Sequence, residues 1–154
     1  MRAFRYRLAP VLKRAERLEQ SLQVELARLH EALRQETRRG ERLHLLHGRL
    51  QERLRTLQRD ELDLPRLRAL RGETESVEQF LQEAARTREE IASRLAATRQ
   101  ELLEAVQARQ VLAHHRDMLA QRHHREQMAG ENRLLDELST TRFANSSPPP
   151  RSSS

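Results

Sequence analysis

The seven histidines are the first side chains whose chemistry could define this protein. His44 and His47 stand three residues apart, and His114-His115 and His123-His124 are adjacent pairs nine residues apart. A zinc site on a helix wants two histidines four residues apart and a third ligand of the right type. No histidine here has a histidine partner at that spacing, and cysteine is absent. The pattern therefore implies no metal site and reads as histidines on a solvated helix face. Catalytic groupings are missing as well. Gly40, Gly48, Gly72 and Gly130 are scattered and build no phosphate loop, no GxSxG elbow occurs, and the serines gather at the C-terminal end. Carboxylates are plentiful, but acid–base catalysis needs a concave, water-excluding site to shift their pKa values. The expectation is a protein that is not an enzyme and uses no cofactor or small-molecule substrate.

Charge is the next lead. The net charge is +6, and Lys13 is the single lysine among 29 basic residues. Arg2, Arg5, Arg7, Lys13 and Arg14 all precede the first acid, Glu16. Such a basic arm can meet phosphates, acidic lipid or an acidic protein surface. Nucleic-acid modules add stacking aromatics or a basic zipper region. With aromatics at 3% the chain has no such set, which argues against nucleic acid. Phe4, Tyr6, Leu8, Val11 and Leu12 interleave with the arginines. Two readings stand for the aromatics Phe4, Tyr6 and Phe80: staples of the hairpin ends, favoured for Phe80, or, with the neighbouring aliphatics, exposed anchors at the hairpin tip that dock into a partner.

Elements that could carry these residues follow from composition and spacing. Leu, Ala, Glu, Arg and Gln dominate, and few Gly or Pro residues are available for turns. Ala15, Leu18, Leu22, Leu26, Leu29 and Leu33 repeat at helical spacing. After a polar gap near Gly40 the stripe resumes at Leu43, Leu46, Leu50, Leu54 and Leu57. From Val77 to Leu119 positions alternate four and three apart, with Arg88, Thr98, Arg109 and Arg116 falling on the seam. Opposite charges such as Glu31/Arg34, Glu36/Arg39 and Glu90/Arg94 sit at i, i+3 or i, i+4.

The expected fold is all-α, two long helices forming an antiparallel coiled-coil hairpin over residues 1–140. The first helix spans about 4–59, a linker with Pro65 and Gly72 spans 60–73, and the second helix spans about 74–138. Residues 141–154, rich in serine and proline, form a disordered tail. The two helices are close in length, leaving a short overhang. No apolar run approaches the ~20 residues of a membrane span, and the start lacks a secretory signal. Both features suggest a soluble intracellular protein.

The two ends of the chain carry a resemblance. Phe4-Arg5-Tyr6-Arg7-Leu8, Val11-Leu12 and an early Glu16 or Glu19, with Leu134-Leu135-Asp136-Glu137-Leu138 near the close, resemble the flagellar export protein FliJ family. The resemblance implies a cytoplasmic stalk and adaptor of the flagellar type III export apparatus, peripheral at the cytoplasmic face of the bacterial inner membrane. Its implied partners are the export ATPase and its regulator, the cytoplasmic domain of the export gate, and substrate chaperones. ATPase-ring docking would fall to Phe4, Arg5, Tyr6, Arg7, Leu8, Val11, Leu12, Leu135, Asp136 and Leu138. Export-gate contact would fall to Phe80, Ala84, Thr87 and Ile91. Two alternatives stand beside it: the stalk of a virulence type III secretion system, and a basic coiled-coil binder of nucleic acid or a membrane surface.

Overall fold

The computed structural model describes residues 2–60 and 63–146. It consists of two long helices packed antiparallel, α1 over Ala9–Asp60 and α2 over Leu64–Asn145, with no strand among the described residues. By contact, the chain divides into one unit of Glu16–Val106 and another that joins Met1–Ala15 to Gln107–Ser154.

The helix boundaries differ from the expectation in three places, each with a local cause. Residues 64–73, expected as linker, are helical. Pro65 is the second residue of α2, in the first turn, where its missing N–H has no intrahelical partner to lose. Asp63 stands just before the helix, and its carbonyl accepts the Leu67 N–H at 3.0 Å. Proline here starts a helix, and Gly72 is simply an exposed helical residue. At the other end α2 continues past 138 to Asn145. Ser139 donates its hydroxyl to the Asp136 carbonyl at 2.8 Å, and Thr141 donates to that of Glu137 at 2.6 Å. The polar residues that read as tail thus satisfy their hydroxyls on the helix itself. The rest of the expected tail, 147–154, lies outside the described residues. Finally, α1 begins at Ala9, and residues 2–6 form no helix. With 52 residues in α1 and 82 in α2, the expected near-match in length does not hold.

Within Glu16–Val106 the seam alternates three and four apart on both helices. On α1 it runs Glu19, Leu22, Leu26, Leu29, Leu33, Glu36, Gly40, Leu43, His47, Leu50, Leu54 and Leu57, all buried or half-buried. The polar gap expected near Gly40 is therefore no gap. Glu36 and Gly40 hold the register, while Leu18 and Leu46, expected in the stripe, are 54% and 43% exposed. On α2 the expected seam holds through Val77, Leu81, Ala84, Arg88, Ile91, Leu95, Thr98, Leu102 and Ala105. Ala84 is fully buried. Thr74 joins this core because its hydroxyl is spent on the Leu70 carbonyl at 2.8 Å, leaving its methyl to pack. Arg88 lies over Gly40: a Cβ placed on that glycine would be 3.7 Å from the guanidinium carbon. That is ordinary van der Waals distance, so the guanidinium packs against position 40 with room for a methyl group. The fit leaves Glu36 Oε2 and Arg88 Nε buried with no hydrogen-bond partner.

The flanks of this unit are charged, as antiparallel pairing requires. Arg94, expected to pair with Glu90 on its own helix, instead reaches across to Glu25 at 3.4 Å. Arg99 approaches His30 at 3.5 Å on the opposite flank. Glu31 and Arg34 pair within α1 at 2.7 Å as expected. The hydrogen bond and positive charge of Arg34 hold the Glu31 carboxyl below its ordinary pKa. That pair is fully formed above the usual carboxylate range and is lost as pH falls through the lowered value. Being solvent-exposed, it is a weak contributor.

In the unit joining Met1–Ala15 to Gln107–Ser154, Leu12 is the buried residue of α1, 5% exposed. On α2 the half-buried positions are Arg109, Leu112, Ala113, Arg116, Ala120, His123, Gln127 and Glu131. Leu119, on the extrapolated heptad, is exposed and Ala120 takes its place. A straight helix drifts relative to a strict seven-residue repeat, and the stripe passes to a neighbouring row.

Candidate protein-interaction surface at the chain ends

The basic arm is the best-defined feature of the unit that holds both chain ends. Residues 2–6 run alongside α2 and are clasped by it at three points. Gln127 donates its side-chain N–H to the Arg2 carbonyl at 3.0 Å. The Phe4 ring meets His123 with centroids 5.7 Å apart and planes tilted by 51°. Tyr6 meets His115 edge-on at 5.6 Å, with its oxygen 2.8 Å from His115 Nδ1. The Tyr6 hydroxyl also reaches the Leu112 carbonyl at 3.3 Å. Neutral imidazole can accept from the Tyr6 hydroxyl. Imidazolium would donate to it, with the phenol proton turned to Leu112, so either protonation state is accommodated.

This arrangement corrects two readings of the sequence. Of the two readings open for the aromatics, Phe4 and Tyr6 take the staple and are half-buried, whereas Phe80, where the staple was favoured, is 46% exposed. The histidines are not simply a solvated face. His115 and His123 hold the arm, and His47 lies half-buried in the seam with Nε2 3.1 Å from Glu78 Oε1. No group of three or more potential metal ligands gathers among the described residues.

Of the other residues singled out at the ends, Arg5 and Arg7 are exposed, as are Leu8 at 38% and Val11 at 45%. Leu12 is consumed by the core. Past Gln127, which meets the arm at Arg2, α2 presents large apolar side chains to solvent: Met128, Leu134, Leu135, Leu138 and Phe143. Asp136 lies among them, also exposed. The structure therefore joins a basic arm and an apolar helix end in one unit. Met128 and Phe143 are the members of this set that the sequence reading missed: Met128 is seven residues before Leu135, and Phe143 fell in the expected tail.

The second group, Phe80, Ala84, Thr87 and Ile91, is split by the helix. Phe80 is exposed and Thr87 half-buried on the Arg94 flank, while Ala84 and Ile91 face the seam. Ala84, with none of its surface accessible, has nothing to offer a partner while the helices stay packed.

A two-helix coiled-coil hairpin with a clasped basic arm is thus the class that fold and surface define. No family model, curated protein or solved structure matches the chain. No helix among the described residues is long and apolar enough to cross a membrane.

The clasp makes a direct prediction. Tyr6→Phe keeps the ring and removes both hydroxyl bonds, costing the arm about 0.5–1.5 kcal/mol. Amide exchange at Arg5–Leu8 should speed up accordingly, with exchange in the Leu22–Leu57 seam unchanged. Unaltered exchange in the arm would show that the hydroxyl contributes nothing.

Proposed function

We propose that this chain is a FliJ-like stalk and adaptor of the bacterial flagellar type III export apparatus. In this reading it acts at the cytoplasmic face of the inner membrane and docks its paired ends into the export ATPase ring. Support comes chiefly from one observation: both motif-bearing ends belong to a single unit. There the exposed Arg5, Arg7, Leu8 and Val11 share a unit with the exposed Leu134, Leu135 and Leu138. Basic and apolar groups together suit a ring lumen of complementary charge. The chain would supply no chemistry of its own. A docked hairpin makes unequal contacts with the ring subunits and biases them between conformations through those differences. Phe80, exposed on the other unit, is the remaining candidate for export-gate contact.

The test is co-sedimentation with the assembled export ATPase, together with its rate of ATP hydrolysis. Leu8→Ala with Val11→Ala, both at exposed positions, should abolish both binding and stimulation, while circular dichroism stays helical. Full binding by the double variant would refute docking through the ends. Binding that collapses steeply and equally for unrelated partners between low and moderate salt would point instead to nonspecific phosphate attraction.

A further inference from the structure

One flank of the Glu16–Val106 unit opens into a groove close to where α1 ends. The register identifies the face. Glu25 and Arg94 meet across the helices on one flank. Leu46 lies three heptads along α1 from Glu25, on that same flank, followed one heptad later by Arg53. Here the two helices leave an open groove of about 740 Å³ with Leu46, Leu50 and Leu57 of α1 and Leu70 of α2 in its lining. Leu50 is buried, Leu57 and Leu70 are half-buried, and Leu46 is 43% exposed. The floor is thus aliphatic and continuous with the seam.

The rim has one dominant sign. Arg49 and Arg53 line the groove and are exposed, and Arg42 lies one heptad before Arg49 on the same face. None of the three makes an ion pair among the described residues. Arg34, Arg39 and Arg94 elsewhere in the unit all do. Glu52 is the single acid in the lining. An apolar floor with unneutralised arginines along one edge fits an amphipathic helix with an acidic margin. From Leu46 to Leu57 the floor spans about three helical turns, roughly 16 Å, which is the footprint of one short helix packed along the pair.

We propose that this groove is a docking site for an acidic amphipathic helix of a partner protein. The site stands apart from the chain ends and uses neither the basic arm nor Phe80. Its failure therefore leaves the stalk reading intact, and failure of the stalk reading leaves the groove standing.

The probe is a fluorescein-labelled 21-residue peptide with leucine at alternating three- and four-residue spacing and glutamate along its flanks. Its partner probe is the same peptide with lysine in place of glutamate. Anisotropy with the full chain should show saturable binding of the acidic peptide and about tenfold weaker binding of the basic one. Leu46→Asp should weaken the acidic peptide about tenfold or more. The double variant Arg49→Glu with Arg53→Glu should reverse the preference, binding the basic peptide better than the acidic one. All three substituted positions are solvent-accessible, so helicity by circular dichroism should hold. Phe80→Ala should leave affinity within about twofold, because Phe80 is outside the lining.

Equal binding of both peptides, or an unreversed preference in the double variant, would overturn the proposal. So would a concentration-dependent mass in light scattering that Leu46→Asp abolishes, since that places a second copy in the groove. Single-stranded DNA competing for the site more strongly than the acidic peptide would overturn it in favour of a nucleic-acid ligand.

Discussion

Ala84→Asp is expected to unfold the hairpin far more readily than Ala85→Asp, although the two residues are neighbours. Ala84 has no accessible surface, whereas Ala85 is exposed. Aspartate at 84 must either force the helices apart or place a carboxylate in the seam one turn from Arg88. Overpacking of this kind costs about 1–3 kcal/mol, and a buried ion pair repays its desolvation only when its geometry is excellent. At 85 the same side chain meets water, and the cost reduces to helix propensity, below about 0.7 kcal/mol. Urea titration followed by helicity gives both values. A difference of less than about 1 kcal/mol would mean that the seam is not closed at this layer. The comparison also separates roles at the candidate gate contact. Loss of partner binding in Ala84→Asp would report a broken hairpin, while Phe80→Ala probes the contact itself.

The fold was legible because a two-helix seam repeats one simple pattern. On α2 the alternation from Val77 to Ala105 could be followed residue by residue, even through Arg88 and Thr98, since no stronger apolar row competed there. On α1 the same procedure failed at four positions because it followed leucine. It chose Leu18 over Glu19 and Leu46 over His47, where leucine lay one residue from the repeat, and it saw a gap at Glu36 and Gly40, where none was near. The structure keeps strict heptad register instead, because one row must face the partner helix along its whole length. Pro65 and the Ser139–Thr141 run misled differently. Both are read as breakers by type, yet a proline in the first turn and hydroxyls bonded back to helix carbonyls are compatible with helix.

The chain ends were legible as a set and misread as individuals. Their basic, aromatic and apolar composition marked them as an interaction region, and the structure brings the two ends into one unit. What the sequence could not disclose is that Phe4 and Tyr6 meet histidines more than a hundred residues away. No local spacing encodes such a contact. His115 and His123 are eight apart, a spacing that carries no motif, and they matter only because an extended arm alongside a helix meets successive turns of it. Exposure of Phe80 is likewise a property of its flank position, which becomes visible only once the heptad is fixed.

Replacing Glu36 and Arg88 together by leucine is expected to stabilise the hairpin while loosening its choice of partner. Both side chains sit in the seam with a buried atom lacking a hydrogen bond, and the Arg88 guanidinium packs over the small Gly40. Exchanging buried charges for well-packed apolar groups is often neutral or stabilising by about 1–4 kcal/mol. The denaturation midpoint of the double variant should therefore rise. The native polar layer resists other pairings. In a hairpin slipped by one heptad, Arg88 would face Leu33 or His47, each far bulkier than Gly40. With leucine at both positions that penalty disappears, and several registers become comparable in energy. Light scattering should then show dimers or larger species at concentrations where the native chain is uniform, and spin-label distances between residues 25 and 94 should broaden. A double variant that is more stable and still uniform would show that chain connectivity alone sets the register. One that is less stable would show that the native contacts of these side chains, including the Glu36–Arg39 pair at 3.6 Å, outweigh apolar packing there.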